Sequence, residues 1–88
     1  MRFKIVYLSC VIKEDIPSLP KTMKGRIRTA IQERLEIDPK SYGKPLQKEL
    51  KGLYRLRVGD YRIIYEIILE GNQVIISAIK HRRYVYFH

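Results

Sequence analysis

Residues 53 to 81, LYRLRVGDYRIIYEIILEGNQVIISAIKH, constrain this chain more than any other stretch. Strand-forming runs at 53–58 and 61–70 flank Gly59-Asp60, and a third run at 74–80 follows Gly71-Asn72. Glycine beside Asn or Asp at a short junction permits the positive φ angles of tight hairpin turns. The stretch therefore reads as a three-stranded antiparallel meander.

Counting outward from each turn gives a register. A two-residue loop at 59–60 sets Val58 against Tyr61, Leu56 against Ile63, Tyr54 against Tyr65 and Arg57 against Arg62. A two-residue loop at 71–72 sets Leu69 against Val74, Ile67 against Ile76 and Arg62 against His81. The core face then runs from Tyr54, Leu56 and Val58 through Tyr61, Ile63, Tyr65, Ile67 and Leu69 to Val74, Ile76 and Ala78. The opposite face carries Arg55, Arg57, Arg62, Glu66, Ser77 and His81 among Ile64, Ile68, Ile75 and Ile79. Like charges opposed across strands destabilise a sheet. A row of Arg57, Arg62 and His81 is thus better explained by a negative ligand than by folding, and a one-residue bulge would move it.

The rest of the chain supplies the second layer. Residues 2–8 alternate and then turn apolar, predicting a first strand buried on both faces towards its end; residues 11–17 predict a short helix closed by Pro17. From Pro20, the residues Met23, Ile27, Ala30, Ile31 and Leu35 form one apolar stripe of a helix that ends near Asp38-Pro39. Residues 39–52 read as a loop with room for one helical turn, anchored by Leu46 and Leu50. The tail at 81–88 either extends the third strand or adds a short fourth. The predicted fold is α+β: one domain over 1–88, a small antiparallel sheet of about four strands with two helices on one face.

Net charge is +9, from 18 Lys and Arg against 9 Asp and Glu, which points to a polyanionic partner. The single cysteine, Cys10, excludes an internal disulfide and a cysteine-based metal site; its aliphatic neighbours predict a small buried hydrophobe in a reducing compartment. No apolar run reaches the ~20 residues of a membrane span and no signal peptide is evident, so a cytoplasmic protein is expected. Nucleotide-binding, nucleophile-elbow and zinc-protease motifs are missing, and Glu66 is the one carboxylate on the cationic face. What remains is arginine, aromatic rings and a titratable histidine. Such a set can bind and strain a single-stranded RNA backbone without a metal or other cofactor.

The run LKGLYRLRVGDYRIIYEI with IKHRRYVY, preceded by KEDIPSLP and KGRIRTAIQERLEIDP, resembles the RelE/ParE superfamily of type II toxins over nearly the whole chain. That resemblance implies a toxin acting as a ribosome-dependent mRNA endoribonuclease, cutting by metal-independent attack of the ribose 2′-OH. By position it implies catalytic roles for Arg55, Arg57, Arg62, His81, Arg82 and Tyr86, and RNA contacts from Arg83, Tyr84, Lys48 and Lys51. Arginines stand at 55 and 57 where studied relatives carry lysines, so His81 becomes the group suited to proton transfer. The implied partners are mRNA in the ribosomal A site and an acidic cognate antitoxin, with a homodimer or toxin–antitoxin hetero-oligomer as the assembly. Two other readings use the same scaffold: a ParE-like inhibitor of DNA gyrase acting by binding, and an inactive RNA- or protein-binding relative.

Overall fold

A computed structural model describes residues 2–46 and 52–84, with residue 84 in backbone only. Five strands form one sheet: β1 (Lys4–Tyr7), β2 (Lys44–Pro45), β3 (Leu53–Val58), β4 (Tyr61–Ile68) and β5 (Gln73–His81), in the order β1-β5-β4-β3-β2. The β3–β4–β5 meander forms as the sequence predicts, because β-branched and aromatic residues fill three runs separated by glycine turns. The sheet has one more strand than expected and is mixed, since β1 pairs parallel to β5 from Lys4 opposite Gln73 to Tyr7 opposite Ile76.

β1 lies at the sheet edge, held also by Phe3 N–H to Glu36 C=O at 2.7 Å and Lys4 N–H to Asn72 C=O at 2.8 Å. An edge position leaves Leu8 42% exposed, so this strand does not end buried on both faces. Cys10 is exposed as well, contrary to the buried hydrophobe read from its neighbours. Residues 11–17 supply a single π-helical turn, Val11–Asp15, closed by Ile16 N–H to Val11 C=O at 2.9 Å.

Pro20 caps helix α1 (Lys21–Ala30), which continues through a π-helical turn at Ile31–Leu35. Its stripe packs on the sheet as expected: Ile27, Ala30, Ile31 and Leu35 are buried, with Met23 at the margin. Asp38 starts a further turn, α2 (Pro39–Tyr42), by accepting the Ser41 N–H at 3.3 Å, and Pro39 needs no N–H at that position.

The first hairpin matches the counted register at every pair, from Leu53 opposite Glu66 to Val58 opposite Tyr61, and Gly59 takes φ +58° in the turn. The second does not. Its last pair is Ile68 with Gln73, so Leu69 to Asn72 form a four-residue turn, with Gly71 and Asn72 both at positive φ. Leu69 consequently points to solvent at 74% exposure rather than into the core. A bulge then intervenes: Tyr65 pairs with Ile76 but Ile64 with Ala78, leaving Ser77 as the extra residue. Beyond the bulge the faces exchange, so Ile79 joins the core at 2% exposure and Ala78 moves to the opposite face.

Tyr65 anchors the loop to the sheet centre. Fully buried, it donates to the Pro39 carbonyl at 2.6 Å and stacks on Tyr54 at 5.6 Å between centroids. Gly43 covers the phenol so closely that a Cβ there would sit 1.8 Å from its oxygen, although its φ of −95° suits any residue. Gly43→Ala is therefore expected to destabilise the chain by about 2–4 kcal/mol, by displacing Tyr65 and orphaning its hydrogen bond. Gly25, inside α1 with nothing within 4 Å of a built Cβ, should behave oppositely. Gly25→Ala is expected to stabilise by about 0.5–1 kcal/mol. Urea unfolding of both variants reads the contrast.

Candidate functional site

Three arginines share the sheet face turned away from the helices. Arg57 pairs directly with Arg62, and Arg55 lies two residues along β3 on the same side. The third strand contributes Lys80 opposite Arg62, not His81, because the four-residue turn sets the register back by two and the bulge at Ser77 returns one. No carboxylate lies within ion-pair distance of Arg55, Arg57 or Arg62 among the described residues. Burial, then the like charges of Arg57, Arg55 and Arg82, hold the Arg62 guanidinium below its usual pKa, with Asp60 opposing them. Its Nη1 is buried without a hydrogen-bond partner. A buried donor left unpaired costs about 1–3 kcal/mol, and no acceptor among the described residues meets this one. Arginine remains protonated at neutral pH even so, which suits the cluster to attracting anions rather than to acting as a base.

The hairpin tip and the end of β5 lock together beside this cluster. Arg82 N–H donates to the Asp60 carbonyl at 2.7 Å, and its Nε lies 3.9 Å from the Asp60 carboxylate. Residues Arg82–Tyr84 form a 3₁₀ turn in which the Arg83 N–H donates to His81 Nδ1 at 3.3 Å. His81 pairs with Tyr61, and its ring meets the Tyr61 ring edge-on at 5.2 Å on the helix side of the sheet. The row expected from the sequence is thus corrected to Arg57, Arg62 and Lys80, with His81 at a corner on the other side. Arg83 is exposed nearby; Lys48, Lys51, Tyr86 and the Tyr84 side chain lie outside the described residues.

Sequence reasoning missed Asp15. β1 covers β5 only as far as Ile76, and Asp15 continues that edge: its Oδ2 accepts the Ile79 N–H at 2.9 Å. Its Oδ1 takes the Lys80 ammonium at 2.6 Å, drawing that cation off the arginine row. The same surface presents Ile68 and Ile75 half-buried, whereas Ile64 is 3% exposed and Ile79 belongs to the core. The apolar area available beside the arginines is accordingly smaller than four isoleucines would give. Among the described residues no three His, Cys, Asp or Glu side chains are grouped to hold a metal ion, and no helix is long and apolar enough to cross a membrane.

The family model described as the ParE toxin of the type II toxin–antitoxin system parDE matches residues 11–86. The chain belongs to this family. Among curated relatives, Toxin RelG of Mycobacterium tuberculosis is 31% identical over 81 residues, covering 92% of this chain and 93% of that one. Toxin RelE3 of Methanocaldococcus jannaschii is 30% identical over 86 residues, covering 94% of each. The toxin of the M. tuberculosis RelBE2 toxin–antitoxin complex superposes with a TM-score of 0.86 at 28% identity, over 93% of this chain and all of that one. The isolated Escherichia coli RelE toxin shares the fold at 17% identity, with a TM-score of 0.74 over 90% of this chain and 83% of that one. The α+β layering and the sheet of this ParE-family chain thus belong to a toxin scaffold.

The Asp15–Lys80 pair gives this toxin a pH signature. Its hydrogen bond to Asp15 is the main cause of a raised Lys80 pKa, with burial opposing it. A raised ammonium pKa stabilises fully below the unfolded value of about 10.4 and is lost as pH climbs through the higher folded value. The Lys80 side chain is 43% exposed, so solvent screening limits the pair to about 1–2 kcal/mol. The stability gap between wild type and Lys80→Gln should stay level from about pH 6 to 9 and shrink above about pH 10. Chemical denaturation across that range measures it, and a gap independent of alkaline pH would remove the assignment.

Proposed function

We propose that this toxin is a ribosome-dependent mRNA endoribonuclease whose arginine face holds the scissile phosphate. The observation that carries the reading is the buried, unpartnered Nη1 of Arg62 among Arg55, Arg57 and Arg82, where Asp60, which lies 3.9 Å from Arg82, is the one carboxylate near the cluster among the described residues. Guanidinium forks suit the non-bridging oxygens of a phosphodiester, and they bind more tightly as that group gains charge on the way to a phosphorane. The attacking 2′-oxygen forms a bond to phosphorus while the bond to the 5′-oxygen breaks. The 2′-hydroxyl loses its proton and the leaving 5′-oxygen gains one, giving a 2′,3′-cyclic phosphate and a 5′-hydroxyl. The arginines supply position and charge stabilisation, and Tyr86 or Tyr84 a surface on which a base stacks.

His81 lies on the helix side of the sheet, so in this reading it is a positioning residue that holds the turn carrying Arg82 and Arg83. The partners are mRNA in the ribosomal A site and, for neutralisation, an acidic cognate antitoxin steered by the +9 charge. Solved relatives that are toxin–antitoxin complexes with RelB support the second of these. A second reading, inhibition of DNA gyrase by binding alone, is favoured by the match to a ParE model and by arginines with no titrating base beside them in the row.

Primer-extension mapping of cellular transcripts after brief induction separates the two. Codon-phased cuts are expected; DNA breaks with intact transcripts would replace this reading with the second. Arg62→Ala should lower single-turnover cleavage at least ~100-fold while unfolding at a denaturant concentration no lower than that of wild type. His81→Gln should cost less than about tenfold and leave the pH–rate profile unchanged, whereas loss of a limb between about pH 6 and 8 would make His81 a general base.

A further inference from the structure

A second cationic surface lies on the other side of β3. An open groove of about 670 Å³ runs between α1 and the end of β3, lined by Thr22, Arg26, Thr29, Arg34, Arg57 and Gly59 among others. Two of its arginines converge on the hairpin tip. A Cβ built on Gly59 would lie 3.4 Å from Arg26 Nη1 and 3.6 Å from Nη2, and Arg57 Nε donates to the Gly59 carbonyl at 3.4 Å. Arg34 stands two helical turns further along, about 12 Å away at the ordinary rise. Glu33 is the one carboxylate of the lining, and it makes no ion pair with these arginines.

The groove and the arginine face are continuous. β2 pairs with β3 only at Arg55 and Tyr54, so from Leu56 onward the outer edge of β3 is unpaired among the described residues. Arg57 belongs to both surfaces: it opposes Arg62 in the sheet and lines the groove. We propose that a single RNA strand crossing the arginine face turns round this edge and lays its next phosphates in the groove, on Arg57, Arg26 and Arg34. The inference rests on the reading of the chain as an RNA-cutting toxin and adds a length-dependent binding subsite to it.

The lining chooses RNA over an antitoxin helix. A peptide helix in a groove needs apolar anchor pockets. Here the apolar members are Ala30 and Val58, each 7% exposed and already used by the core. Guanidinium and threonine hydroxyl donors are instead what phosphate oxygens require.

The test is equilibrium binding of purified chain to fluorescent 2′-O-methyl oligoribonucleotides of about five and about fifteen nucleotides, lengths that bracket common single-strand sites. Without a 2′-hydroxyl these cannot be cut, so the result is independent of cleavage. Wild type should bind the longer probe more tightly. Arg26→Ala/Arg34→Ala should match wild type on the short probe and lose the advantage on the long one. Two lost phosphate contacts should reduce the slope of log K against log salt by about 1.4, which is roughly 25-fold at 0.1 M salt relative to 1 M. Lys4→Ala/Lys13→Ala, with the same net charge and its changes away from the groove, should keep wild-type behaviour, and Arg26→Lys should keep most of it.

An unchanged slope in the arginine variant, or an equal loss in the lysine control, would overturn the subsite. So would a variant that loses an acidic helical peptide but keeps the long RNA, since the groove would then be a protein site. Retained length dependence without any cleavage in cells would instead overturn the nuclease reading and leave the groove an RNA site.

Discussion

The carboxylate of Asp15 is the interaction on which the working half of the sheet depends. β1 stops pairing at Ile76, and the remaining edge of β5 would offer unpaired backbone donors inside the helix layer. Asp15, 6% exposed, accepts the Ile79 N–H and so ends that edge. A bare carboxylate in such a place is expensive, and the Lys80 ammonium at 2.6 Å offsets the desolvation. With Ile79 held, the side chain enters the core, and the strand arrives at Arg82 in position to meet Asp60. One acidic residue from the first turn of the chain therefore sets where the last basic residues sit.

That same contact sharpens the electrostatics of the arginine face. Lys80 is the natural third member of the row, yet its charge is spent on Asp15. Arg55, Arg57 and Arg62 have no such partner among the described residues. Opposed like charges and a buried unpaired donor both work against folding, each at a cost of the order of 1 kcal/mol. The core bears it: Tyr65, Leu35, Ile63, Ile76, Val11 and Val74 are fully buried, and each such aliphatic or aromatic side chain contributes about 1.5–3 kcal/mol. Strain of this sort, only partly relieved by Asp60, is a cost that a surface meant to meet an anion would carry and a merely basic one would not.

How much of this the sequence revealed follows from which forces are local. The β3–β4 register was readable by counting because Gly59-Asp60 closes a tight turn and no bulge follows. The apolar stripe of α1 was readable because helical period is an intrachain property. The β4–β5 register failed on two matters: a turn of four residues rather than two, where Gly71 and Asn72 both take positive φ, and an extra residue at Ser77 that nothing in IISAI announces. A one-residue slip exchanges faces, which put Ile79 inside and carried His81 to the helix side. Parallel pairing of β1, the exposure of Cys10 and the role of Asp15 all depend on segments far apart in sequence. The arginine cluster survived because two of its members lie on the hairpin strand that was counted correctly and the third, Arg62, is the direct partner of Arg57.

The placement of His81 bears on how such a face could act at all. Its ring holds the 82–84 turn through Nδ1 and rests on Tyr61, so it contributes geometry to Arg82 whether or not a proton ever passes through it. Arginine cannot exchange protons near neutrality, and Lys80, the other cation of the row, is held protonated by Asp15, which raises its pKa. A cation array of this kind lowers a barrier by stabilising charge that develops on phosphate oxygens and by holding the reacting groups in line, effects that need no proton acceptor within the array. The tightness of the cluster then matters more than its basicity. On the proposed nuclease reading, replacing one guanidinium by a neutral side chain would relieve repulsion in the free protein while removing attraction in the transition state. Stability and activity should consequently move in opposite directions along this row, the relation expected where a fold carries unpaired charge for a ligand.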